Sequence, residues 1–199
     1  MEELLTRRAP FRTAFSVLGV PLALSACDRL PEAVIFPEFE LTYSFDGGLS
    51  GWTAAALDMG TGTWTTGEAS GAARFELANA SGAGKVWLGR ELEVTPDTRY
   101  AMNISFKLAT ADHDAAQAWK IIAGARQDPP TLAADLTFQD GTASGAAAGE
   151  TVWVEKTYSV TVEPDEDGVL HFMLGIWGTT TGTRSYLIDD LKVVLTRTE

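Results

Sequence analysis

The sequence predicts an all-β chain folded as a two-sheet antiparallel β-sandwich of jelly-roll type, with an immunoglobulin-like sandwich as the alternative. Three observations carry that expectation. About nine short runs alternate apolar and polar side chains with period two, the pattern of a strand with one buried face. Segments rich in Gly, Pro, Asp and Thr separate the runs, and these residues form turns. No long run repeats apolar residues at helical spacing. The 199 residues are 45% hydrophobic and 21% charged, enough apolar side chain to fill one sandwich core.

The strand pattern begins only after residue 38. Arg7, Arg8 and Arg12 form a basic segment ahead of the apolar stretch 14–26, which is too short to span a bilayer, so residues 1–26 have the parts of a secretory signal. Its end, Leu24-Ser25-Ala26-Cys27, resembles the lipobox of bacterial lipoproteins. That resemblance implies cleavage before Cys27 and lipidation of its sulfur; an ordinary signal peptide cut at an A-x-A-like site is the alternative. Cys27 is the sole cysteine, so no disulfide forms within the chain. A lipoprotein cysteine carries more than one acyl chain, which anchors a protein stably to a lipid bilayer. The expected location is therefore the cell envelope, facing the periplasm or the cell exterior. Residues 27–38, with Pro31 and Pro37, read as the lipidated cysteine and a tether, and residues 39–199 as the sandwich domain. The formal net charge of −12, from 27 acidic and 15 basic residues, opposes nucleic acid and anionic membrane surfaces and suits divalent cations and neutral ligands.

In the opening strand, Phe39, Leu41, Tyr43 and Phe45 alternate with Glu40, Thr42 and Ser44, and a Gly-rich turn follows. Further strands are predicted over 73–77, 85–94, 99–108, 118–123, 132–138, 152–162, 169–177 and 186–195. Within 99–108, Tyr100, Met102, Ile104, Phe106 and Leu108 share the core face, leaving Asn103, Ser105 and Lys107 on the wet one. Within 169–177, Leu170, Phe172, Leu174 and Ile176 face inward, and His171, Met173, Gly175 and Trp177 face the other way. Between these strands, Glu163-Pro164-Asp165-Glu166-Asp167-Gly168 imitates the first half of an EF-hand loop. Leu174 stands where the bidentate glutamate is needed, so the stretch reads as an acidic hairpin turn. In the closing strand, strict alternation puts Asp189 on one face with Leu187, Leu191, Val193 and Leu195, toward the core. A carboxylate there must bind a cation, pair with Arg or Lys, or lie at a wet rim.

Two distant stretches, Phe45-Asp46-Gly47-Gly48-Leu49-Ser50-Gly51-Trp52 and Tyr186-Leu187-Ile188-Asp189-Asp190-Leu191, resemble the ends of jelly-roll carbohydrate-binding modules of families 4, 9 and 22, galactose-binding-like in layout. The stretch 92–106 also matches them in detail. The resemblance implies binding of an unspecified glycan without catalysis, and a structural Ca²⁺ held by Asp46 and Asp189. Asp46 stands where those modules usually carry Glu. The other partners open to Asp189 are Arg90 and Arg184. A similar opening occurs in jelly-roll domains of bacterial adhesins.

A sugar ring stacks its C–H groups on an exposed aromatic face while polar side chains bond its hydroxyls. Trp177, His171 and Trp119 are the candidates for such a face, together with Asn103, Ser105 and Lys107; Trp52, Trp64, Trp87 and Trp153 read as packing. Enzyme signals are weak. There are two histidines, no G-x-S-x-G nucleophile turn, and no E-x-D-x-x-E run of the kind found in jelly-roll glucanases. The expectation is a non-catalytic carbohydrate-binding module on a lipid-anchored protein. A structural or adhesion module contacting another envelope protein is the alternative, and a small glycan-active enzyme the third reading.

Overall fold

Period-two alternation becomes ten strands among the residues that the computed structural model describes, 38–111, 119–141 and 151–198. The expected signal segment, Cys27 and the tether up to residue 37 lie outside them. The strands are β1 (Phe39–Tyr43), β2 (Thr53–Leu57), β3 (Thr63–Ala69), β4 (Ala72–Asn79), β5 (Lys85–Glu93), β6 (Tyr100–Thr110), β7 (Trp119–Arg126), β8 (Val152–Val162), β9 (Val169–Gly178) and β10 (Gly182–Arg197). One sheet runs β3-β4-β10-β6-β8, with β1 also paired to β10, and the other runs β2-β5-β9-β7. Every pairing is antiparallel, as a jelly-roll sandwich requires.

Between the sheets, the inward rows close one core: Met102, Ile104 and Leu108 from β6, Leu170, Leu174 and Ile176 from β9, and Ile188, Leu191 and Val193 from β10. Each such side chain contributes about 1.5–3 kcal/mol by leaving water. β2 and β3 are strands that periodicity does not reveal. TAAAL in β2 holds few strand-formers, and TWTTGEA in β3, although rich in Thr and Trp, has no apolar alternation; both are recruited by pairing with the apolar β5 and β4.

Strict alternation fails in β10. Asp189 pairs with Lys107 and Lys192 with Ser105, so two residues, Asp190 and Leu191, oppose the single Phe106 in a β-bulge. Asp190 sits there at φ 50°. The bulge shifts the phase: Tyr186 and Ile188 are buried before it, Leu191, Val193 and Leu195 after it, and Asp189 is half-buried outside the inward row. The cause lies in the neighbours. One edge of β10 pairs first with β4 (Gly182 to Ile188) and then with β1 (Leu191 to Leu195), and the bulge occupies the gap between them.

The expected strand over 132–138 is instead a 3₁₀ turn, Ala133–Asp135, followed by a single bridge from Phe138 to Ile122. Asp135 decides this, because its carboxylate accepts the N–H groups of Thr131 and Leu132 at 2.8 Å each and closes a turn. The apolar residues of that segment still have a use. The outer face of the four-stranded sheet carries Trp87, Ile122 and Met173, and Leu136 covers them in a second buried cluster that Phe138 and Trp177 border. Gly124 permits the approach: a Cβ there would stand 2.7 Å from Thr137 Cβ. At 163–168 the acidic stretch is a hairpin turn, with Asp165 Oδ1 accepting from the N–H of Asp167 (3.1 Å) and Val169 (2.7 Å).

Candidate functional site

β2 stops before β5 does. Its last pair is Thr53 with Gly89, whereas β5 continues to Glu93 and stays paired to β9 on its other edge. The step leaves a groove of about 600 Å³ on the four-stranded sheet, within the size range of small-ligand sites. Gly51, Thr53 and Ala55 form one bank, and Pro129 and Pro130 the other. Trp87, Gly89, Glu91 and His171 lie between them.

Each part of the groove has a local cause. Trp87 has the opposite phase to the core residues Val86 and Leu88, so the strand turns its indole outward, where the second cluster holds it at 4% exposure. Its Nε1 has no acceptor among the described residues and is not sealed from solvent. It lies 3.9 Å from where a Cβ on Gly89 would stand, so the missing side chain keeps space open beside a donor. His171 Nδ1 is 3.8 Å from Glu91 Oε1, within ion-pair range and too long for a direct hydrogen bond. The proline bank follows Arg126, which pairs in register with His171 and ion-pairs Asp135. The Thr131 N–H, then Arg126 and the Leu132 N–H, hold the Asp135 carboxyl well below the usual carboxylate range, so the anchor of this bank stays ionised.

Of the sugar-binding residues predicted from sequence, His171 alone lines this groove. Trp177 lies on the same outer face but is committed to packing. Its ring centroid is 4.9 Å from that of Phe138, the ammonium groups of Lys85 and Lys120 lie over it at 4.9 and 5.1 Å, and its Nε1 donates to Gly82 O at 3.3 Å. Trp119 is 2% exposed and packs edge-on against Tyr186 at 5.6 Å in the main core, so it cannot offer a face to a sugar. Parity explains this placement, since Trp119 shares the inward row of Ile121, Ala123 and Ala125. Asn103 and Lys107 belong to the outer face of the other sheet, where Lys107 Nζ meets Asp190 Oδ2 at 2.7 Å. The whole sandwich separates them from His171. Thr53, Trp87 and the proline pair were not singled out by sequence reasoning; the outward phase of Trp87 between Val86 and Leu88 is the signal that could have found it.

At the junction of β1, β4 and β10, Asp189 Oδ1 accepts from the Phe45 N–H at 3.4 Å. Asp46, the next residue, turns its carboxylate toward Gly71, where a Cβ would meet Asp46 Oδ1 at 2.5 Å. Carboxylate oxygens such as these two are the hard donors that Ca²⁺ takes. Among the described residues no group of three or more His, Cys, Asp or Glu side chains gathers to hold a metal, so a cation here would need backbone carbonyls as well. Arg90, one of the cations considered for Asp189, lies instead over the rings of Tyr43 and Trp52.

No family model matches this sequence, and no curated protein matches it either. Similar solved structures include carbohydrate-binding modules, adhesin domains and an enzymatically active domain of a bacteriophage CBA120 tailspike protein. The K1 cleaved adhesin domain of Lys-gingipain from Porphyromonas gingivalis W83 is 17% identical over 78% of this chain and 97% of its own, with a TM-score of 0.48. The CBM22-1 xylan-binding domain of Paenibacillus barcinonensis Xyn10C is 16% identical over 80% and 95%, with a TM-score of 0.40. The family 11 carbohydrate-binding module of Clostridium thermocellum Lic26A-Cel5E is 12% identical over 78% and 94%, with a TM-score of 0.44.

Proposed function

We propose that this protein is a non-catalytic binding module whose groove on the four-stranded sheet takes a carbohydrate. One observation carries the reading: the groove combines an indole with a free donor, a histidine, carboxylates and a threonine hydroxyl around a floor kept open by Gly89. Edge hydroxyls of a sugar are what such a mixture of donors and acceptors matches, with Trp87, 4% exposed, offering its Nε1–H rather than a ring face. Thr53 is exposed on the bank, so Thr53→Trp fills the groove without touching the core. The variant is expected to lose retention on every immobilised glycan that holds the wild type. Equal retention by the two proteins moves the ligand elsewhere.

Asp46 and Asp189 are the residues that would hold a structural Ca²⁺, whose charge would tie the end of β1 to β10. We place the protein in the cell envelope, anchored through lipid on Cys27; radiolabelled palmitate incorporated by the wild type and not by Cys27→Ser is the expected result. A second reading, adhesion to another envelope protein, is favoured by Val152 and Trp153, 38% and 45% exposed on the edge strand β8. Capture of a protein partner by the wild type but not by Trp153→Ser, with no glycan retained by either, would establish that reading.

A further inference from the structure

The groove contains a charge that no described side chain neutralises. Among the described residues, eight Lys and Arg side chains have a carboxylate within 4 Å. Arg90 has none, although acidic residues outnumber basic ones 27 to 15 in the chain. It occupies a core-phase position in β5 between buried Leu88 and Leu92 and is itself half-buried. A guanidinium does not lose its proton, so partial burial without an anion leaves it incompletely compensated. Aromatic faces supply part of what water gave, with Arg90 Cζ 5.7 Å from the Tyr43 ring centroid and 5.6 Å from that of Trp52. Those rings also fix the fork in place.

Access to it is built in. Pairing of β2 stops at Thr53, so no strand covers β5 at Arg90 on that edge. Gly51 stands there without a side chain; a Cβ on it would lie 3.7 Å from Arg90 Nη1. The turn carrying Gly51 is pinned by Tyr43, whose single hydroxyl hydrogen is shared between Gly48 O at 3.1 Å and Ser50 O at 3.0 Å. Its phase sets Arg90 on the other face of β5 from Trp87 and Glu91, and it meets the groove they line at the open edge beside Gly51.

We propose that the groove takes a carboxylate-bearing saccharide, a uronic-acid unit whose carboxylate is held by Arg90 while its ring lies toward Trp87 and His171. The inference rests on the carbohydrate-binding reading of this groove. A planar guanidinium matches a carboxylate with two parallel hydrogen bonds, a geometry that no neutral sugar hydroxyl reproduces. Glu91 and Glu93 line the remainder of the groove and repel an anion placed there. They set the orientation: carboxylate at Arg90, hydroxyls toward Glu91 and Glu93, which accept from them.

The test uses the full-length protein in detergent micelles and calorimetric titration with oligomers of galacturonate, glucuronate and mannuronate, each paired with its carboxyl-reduced form. At least one uronide is expected to bind at least tenfold more tightly than its reduced counterpart. Arg90→Gln is expected to abolish that preference, and Arg90→Lys, which keeps the charge and loses the fork, to retain part of it. Near-ultraviolet circular dichroism checks that the variants fold, and the native-versus-reduced comparison on the wild type needs no variant. Equal binding of reduced and native forms, binding of neutral glycans alone, or a preference unchanged in a folded Arg90→Gln overturns the role of Arg90 and leaves the carbohydrate reading standing. Failure of every saccharide, acidic or neutral, overturns both.

Discussion

The N–H of Phe45 donates to Asp189 Oδ1 at 3.4 Å, a contact between residues 144 positions apart that joins the end of β1 to the bulge of β10. If Ca²⁺ reinforces this junction, added calcium raises the thermal midpoint of the wild type and a chelator lowers it. Asp189→Asn keeps an acceptor for Phe45 and loses the charge, so its midpoint is expected to ignore both additions. A wild type equally indifferent ends the calcium reading.

Gly71 packs against Asp46, the other acid proposed to hold Ca²⁺, at φ 81°. Gly71→Ala meets two costs, the positive φ and the clash with Asp46 Oδ1, together roughly 1–3 kcal/mol by urea denaturation. Combining it with Asp46→Ser should recover only the steric share. Full recovery would show that backbone conformation is not limiting.

Glu38 links both ends of the domain by accepting from Arg197, Thr95 Oγ1 (2.5 Å) and Tyr100 Oη (2.8 Å). Arg197 foremost, then Thr95 and Tyr100, bring its carboxyl from 4.5 down to about 2. A depressed folded value means that the contribution to stability is fully present above pH 4.5 and is lost as the pH falls toward 2. The difference in thermal midpoint between wild type and Glu38→Gln should therefore shrink across that interval. The site is at the rim, so the difference at neutral pH should be a few degrees, on the order of 2–4 °C. A difference constant with pH would contradict the assignment.

Trp119 and Trp177 should respond differently to truncation. Trp119→Ala opens a cavity beside Tyr186 in the main core and should cost about 3–5 kcal/mol. Trp177→Ala removes a half-buried ring at the margin of the second cluster and should cost less, about 1–3 kcal/mol. Chemical denaturation of the two variants decides it, and equal losses would contradict the assigned environments.

Local alternation determined the all-β class, the inward rows of β6 and β9, and the outward turn of His171, because which face a strand residue takes depends on its own neighbours in sequence. Even Trp119 obeyed that rule, and applying its parity with Ile121 would have kept it out of the proposed site. Tertiary structure decided what depends on where another strand ends. The bulge that removes Asp189 from the inward row exists because β10 changes neighbour from β4 to β1. The groove exists because β2 ends its pairing at Gly89 while β5 runs on to Glu93. Asn103 and Lys107 share the outward character of His171 but lie on the opposite sheet, a separation that period-two spacing does not contain. Which outer face is covered was likewise settled by Asp135, whose capping of Thr131 and Leu132 turned an expected strand into the cover over Trp87.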